Sequence, residues 1–280
     1  CGCMKLLTPP RCEFLLGSGL YCQNNIDNDV ADQAESPLYF PMTRAPFILI
    51  KWSVVILIAT GWSSAGAEDW PRFRGDPQFR GVAAGNLADQ LKLKWTFKTG
   101  GPIKSSAVIS NGRVFIGSDD GHIYAIDLAK GHNLWKYLTG GAVEAPPLVI
   151  NDRLYVGAED GILYALHTST GKEIWKYQTD ARILGSANGS AQADGKHLSI
   201  LVGSYDNFLH CIDATTGTNR WKYETGNYVN GAAAIANGQT VFGGCDGDLH
   251  VVSIDQGKLV SRIELGAPIA GTVAVVDKSA

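Results

Sequence analysis

The chain has little methionine, 2 in 280 residues, and no segment carries a helical hydrophobic period with a capped start and end. Helical bundles and coiled coils are excluded on that ground. Net charge is only −3. No concentrated basic face is present for phosphate backbones, so nucleic acid is not an expected partner. Cysteine is scarce and badly placed for chemistry. Four of the six, Cys1, Cys3, Cys12 and Cys22, crowd the first 22 residues without partners at metal-ligand spacing. No zinc spacing, phosphate loop or nucleophile–base pattern occurs, so no catalytic residue and no metal ligand is expected.

The one sustained apolar stretch runs from Trp52 to about Trp62, inside MTRAPFILIKWSVVILIATGWSSAGAEDW. It falls short of the roughly 20 residues that span a bilayer. Arg44 and Lys51 precede it, and Ala65-Gly66-Ala67 follow it. This layout predicts a signal peptide over 42–67, cut before Glu68. The expected location is therefore exported, periplasmic or cell envelope. No cysteine directly follows the apolar run to take a lipid, and no span is expected in the mature chain. Residues 1–41 read as a leader, either untranslated or disordered. Residues 68–90 read as an irregular segment leading into the repeats. Cys211 and Cys245 alone remain in the mature part, at different positions of the repeat.

What the chain has is a repeated sentence. Residues 120–139 read DGHIYAIDLAKGHNLWKYLT, and 160–179 read DGILYALHTSTGKEIWKYQT. Weaker copies begin at Asp206 and Asp246. Tryptophans fall at Trp95, Trp135, Trp175 and Trp221, with steps of 40, 40 and 46. Gly131, Gly171, Gly217 and Gly257 repeat in the same register, as do Gly117, Gly157, Gly203 and Gly243. Six extra residues in the third copy fall around Ala193–Lys196, in a polar turn.

Each unit holds four short strand-like runs joined by Asn-Gly or Asp-Gly turns. Four antiparallel strands per forty residues mark a β-propeller blade. The expected fold is all-β, with blades over about 103–139, 142–179, 182–225 and 228–265 and a partial one over 267–280. The first strand of each unit is poor in large side chains, as crowding around an axis requires. LKLKWTFKTG (91–100) reads as an outer strand lacking the earlier part of its blade. The reading is an open arc, the first part of a larger seven- or eight-bladed ring.

The string A-x-D-x-x-[ST]-G-x-x-x-W resembles the tryptophan docking motif of pyrroloquinoline quinone (PQQ) repeat propellers. Ala125, Asp127, Gly131 and Trp135 match it, as do Ala165, Gly171 and Trp175, and Asp213, Thr216, Gly217 and Trp221. The resemblance covers 91–280, and DWPRFRGDPQFRG (69–81) looks like the leader of exported PQQ-like proteins of planctomycete-type bacteria. It implies one of two activities. One is a non-catalytic scaffold for other proteins or a small ligand at the propeller face. The other is the N-terminal half of a PQQ- and calcium-dependent alcohol or sugar dehydrogenase. PQQ and calcium are implied by resemblance only. Gly157-Ala158-Glu159 is similar to a dehydrogenase segment, but a plain hairpin follows without the expected arginine, and the mature part has no Cys-Cys pair. The scaffold is the leading expectation. Nine residues after each tryptophan column come Lys104, Glu144, Leu184, Asn230 and Ala270, which should ring one end of the central channel. Lys104, Glu144 and Asn230 are the polar contact candidates.

Overall fold

A computed structural model describes residues 69–86, 89–191 and 197–276, all within one compact unit. The expected leader, signal peptide and extra turn around Ala193–Lys196 lie outside the described residues. Sixteen strands build four sheets, each in strict chain order. The first holds β1 (Val108–Ser110), β2 (Arg113–Gly117), β3 (His122–Asp127) and β4 (Asn133–Leu138). The second holds β5 (Leu148–Ile150), β6 (Arg153–Gly157), β7 (Ile162–His167) and β8 (Glu173–Gln178). The third holds β9 (Asn188–Ala191), β10 (Leu198–Gly203), β11 (Phe208–Asp213) and β12 (Asn219–Glu224). The fourth holds β13 (Ala234–Ala236), β14 (Gln239–Gly243), β15 (Asp248–Ser253) and β16 (Leu259–Glu264). Every pairing is antiparallel, and no helix occurs among the described residues. The result is an open arc of a β-propeller.

Local chemistry accounts for the hairpins. Asn111 and Gly112 both take positive φ, 50° and 70°, as do Asn237 and Gly238 at 51° and 72°. Paired positive φ is the turn whose twist suits adjoining antiparallel strands. The two middle strands of the first three blades are buried almost throughout, because neighbouring blades cover both faces, whereas β15 of the fourth is buried only at His250 and Val252. One core cluster joins Phe115, Ile123 and Trp135 of the first blade to Leu154, Tyr164 and Leu166 of the second. A second joins Tyr155, Leu163 and Trp175 to Ile200 and Ile212 of the third. The apolar core therefore lies between blades rather than within them.

Two stretches differ from expectation. Residues 91–99 are not a ladder strand, and no strand among the described residues lies beside them to share backbone hydrogen bonds. Their side chains dock nonetheless, with Phe97 edge-on to Tyr124 at 5.4 Å. Residues 267–276 likewise carry no ladder, yet Ile269 packs against Gly243.

Candidate functional site

The repeated tryptophans bind blade to blade. Trp95, Trp135, Trp175 and Trp221 each donate from Nε1 to a carbonyl of the following blade. The acceptors are Leu128, Thr168, Ala214 and Ile254, at 3.0, 2.9, 3.1 and 2.8 Å. Each indole also lies on the following blade's glycine. A Cβ at Gly131, Gly171, Gly217 or Gly257 would stand 2.4, 2.7, 2.7 or 2.5 Å from it. These eight residues are stacking hardware.

The repeated aspartates do more than turn hairpins. Asp120 accepts from His122 N (2.9 Å), and also from Gly100 N (2.7 Å), which precedes the blade. Asp160 accepts from Gly140 N, Asp206 from Asp180 N and Asp246 from Gly226 N. The column four residues on completes the carboxylate's shell. Tyr124 and Tyr164 donate to it in the first two blades, and His210 and His250 contact it in the last two. Nδ1 of His210 faces Tyr177 Oη at 3.0 Å, and Nδ1 of His250 faces Tyr223 Oη at 3.1 Å. The two histidines are buried polar links between blades.

The variable positions gather at one end of the inner strands. Each β2–β3-type turn is tied to the residue leading into its own inner strand. The bonds are Asp119 N to Pro102 O, Glu159 N to Ala142 O, Tyr205 N to Arg182 O, and Cys245 N to Tyr228 O. This juxtaposes two columns that the sequence keeps apart. On the first two blades the rim is acidic. Lys104 Nζ bridges Glu144 (2.5 Å) and Asp119 (2.9 Å), and those hydrogen bonds, Glu144's foremost, raise the lysine above its usual range. On the last two blades the rim is aromatic and cationic. The Arg182 guanidinium lies 4.3 Å from the Tyr205 ring centre, and its nearest carboxylate, Glu159, is 3.9 Å away. Tyr205 stacks on Tyr228 at 4.7 Å and 18°. Its hydroxyl donates to Asn230 Oδ1 at 3.0 Å. Tyr228 is 45% exposed. The structure thus joins Lys104 to Glu144, and places Asn230 with a different group, the Tyr205–Tyr228 stack. Sequence reasoning missed Arg182, Tyr205 and Tyr228, which break the pattern of their columns.

A family model described as outer membrane protein assembly factor BamB matches residues 62–200 and 196–260. The chain belongs to this family of PQQ-like repeat propellers. No curated protein matches it in sequence. BamB from Moraxella catarrhalis is similar in structure, with a TM-score of 0.56, 19% identity, and coverage of 65% of this chain and 58% of that one. Quinohemoprotein alcohol dehydrogenase from Comamonas testosteroni gives a TM-score of 0.58 at 16% identity, covering 71% of this chain and 41% of that one. The computationally designed Ika8 protein gives 0.54 at 17%, covering 61% and 52%. At these identities the likeness is one of fold. The chain spans less than two thirds of the length of each of these structures.

Membership in a PQQ-like family raises the question of quinone and calcium. Asp246, Asp248 and His250 bring three donor atoms within 4.8 Å of one another. Each already has a partner. Asp246 accepts from Gly226 N and contacts His250 Nε2, and Asp248 pairs with Arg262 at 3.3 Å. Calcium requires several converging free oxygens. Glu159 faces Arg182 rather than a second carboxylate. The described residues do not fit a calcium–quinone site.

Proposed function

We propose that this PQQ-like propeller is exported and acts as a binding scaffold for protein partners, contacted through the rim around Arg182, Tyr205, Tyr228 and Asn230. The carrying observation is the Arg182–Tyr205–Tyr228 stack, with Arg182 and Tyr228 exposed on either side of a half-buried Tyr205. Tyrosine supplies large contact area with little ordering cost, Arg182 is already held against the Tyr205 ring, and both residue types are enriched in interface hot spots. The repeated columns are occupied in stacking, so recognition falls to the rim. Lys104, Asp119 and Glu144 add a charged half that sets orientation more than affinity. The family's description as an outer membrane assembly factor is in keeping with a protein partner.

The test is a photo-cross-linking side chain placed at Tyr228 of the full-length protein in its source cells. A discrete protein adduct is expected there and not from Lys136 on outer strand β4. Equal labelling from both positions, or none from Tyr228, overturns the reading. PQQ- and calcium-dependent dye reduction by the full-length protein would replace it with the dehydrogenase alternative.

A further inference from the structure

At the opposite end of the inner strands, the lead-in segment crosses every blade. Asp69 accepts from Asn111 N (3.0 Å) and Ser110 Oγ (3.2 Å). Trp70 exchanges both backbone bonds with Ile109, at 2.8 and 2.9 Å. Val149 N donates to Pro71 O at 2.7 Å, Ile235 N to Pro77 O at 2.8 Å, and Val275 N to Gln78 O at 2.9 Å. Inner strands are edges, and an unpaired edge amide invites a further strand. Here the amides of Ile109, Val149, Ile235 and Val275 are all answered by one segment.

The third blade answers through a side chain. Val108, Leu148 and Ala234 occupy the column that holds Asn188, which is fully buried. Asn188 Oδ1 accepts from Arg72 at 2.8 Å and from Gly189 N at 2.9 Å. Its Nδ2 donates to Pro77 O at 2.8 Å and to Ala233 O at 2.9 Å. All its hydrogen-bonding capacity is used. Phe79 is fully buried beside Ala232, Ala234, Phe73 and Val275. One of the four Asn188 bonds, to Ala233 O, ties the third blade to the fourth. Two of the others make it a receptor for an arginine and a carbonyl of the segment.

We propose that this end of the inner strands is a peptide-binding site, filled in cis by Asp69–Phe79, that recognises a segment folded into turns through its carboxylate, its arginine at Asn188 and its buried phenylalanine. The mode is backbone pairing for affinity and side-chain pockets for specificity. The site is separate from the rim and independent of the function proposed for it.

The experiment uses the full chain with a specific protease sequence inserted after Val82, in the exposed stretch that follows the segment. After cleavage without denaturant, the N-terminal piece is expected to co-elute with the propeller. A synthetic peptide of residues 69–81 should displace it, and the same peptide carrying Arg72→Ala should be about ten-fold weaker, as loss of a charged hydrogen bond dictates. A peptide carrying Arg80→Ala is the control, because Arg80 pairs only within the segment, with Asp76 at 2.9 Å. It should match wild type. Separation of the pieces on cleavage overturns the proposal, as does failure of the wild-type peptide to displace. Equal potency of the Arg72→Ala and wild-type peptides also overturns it.

Discussion

Trp135 packs on Gly171 of the following blade and donates from Nε1 to Thr168 O, 2.9 Å away. The same pair of contacts recurs from Trp95 onward through Trp221. The most legible word of the repeat is therefore an instruction for the neighbour. A blade carries its tryptophan on the outer strand, and the next blade carries the glycine and carbonyl that receive it.

Gly171→Ala should separate two costs. At φ 68° an alanine is strained, and its Cβ would stand 2.7 Å from the Trp135 indole. Strain of about 1–2 kcal/mol plus overpacking of about 1–3 kcal/mol is expected. Gly112→Ala is the control, with φ 70° and nothing within 4 Å of the added Cβ. It should lose only the strain, about 1–2 kcal/mol. Urea midpoints of the two variants read the difference.

Trp135→Phe keeps an aromatic wedge but removes the donor to Thr168 O. Trp135 is 9% exposed, so the carbonyl loses its partner away from water. A loss of about 1–3 kcal/mol is expected. Lys136→Ala, one residue on and facing solvent, should stay within about 0.5 kcal/mol of wild type. Chemical denaturation of both checks this.

Acid should loosen the blade contacts. Burial pushes the Asp206 carboxyl up, but the hydrogen bond and charge of His210, with the Phe208 and Asp180 amides, outweigh it and hold the group below its usual range. Asp246 is held low in the same way, by His250 and the amides of Asp248 and Gly226 against its burial. A depressed folded pKa stabilises above the unfolded carboxylate value of about 3.9, and that stability is lost as pH falls further. Stability should change little from these groups between pH 7 and pH 5 and should fall below about pH 4. In Asp206→Asn the acid-dependent part should shrink. An unchanged acid limb in that variant would contradict the assignment.

The stacking logic was readable because it repeats. Tryptophan, glycine and Asp-Gly columns fall in one register, and a period near forty with hairpin turns leaves little choice of fold. The Asp120–Gly100 bond was not readable, because it joins a side chain to a backbone amide that sequence does not mark. The rim was half readable. Lys104, Glu144 and Asn230 follow from the repeat register, whereas Arg182, Tyr205 and Tyr228 meet only when turn and inner strand come together in space. The lead-in segment carried a signal that went unused. Pro71-Arg72-Phe73-Arg74-Gly75 and Pro77-Gln78-Phe79-Arg80-Gly81 are two copies of one pattern. The carbonyls of Pro71 and Pro77 cap the second and fourth blades in the same way. Asn188 in an apolar column was the other sign.

The central claim is that the repeat builds the arc and the rim does the binding, so the two should come apart on mutation. The direct measurement places a photo-cross-linker at Asn230 and combines it with Arg182→Ala and Tyr228→Ala in the full-length protein. Rim residues are partly exposed, so the thermal midpoint should stay within about 2 °C of wild type. On that intact fold the protein adduct should fall at least about ten-fold, the loss expected from removing two interface anchors. An undiminished adduct would contradict the account.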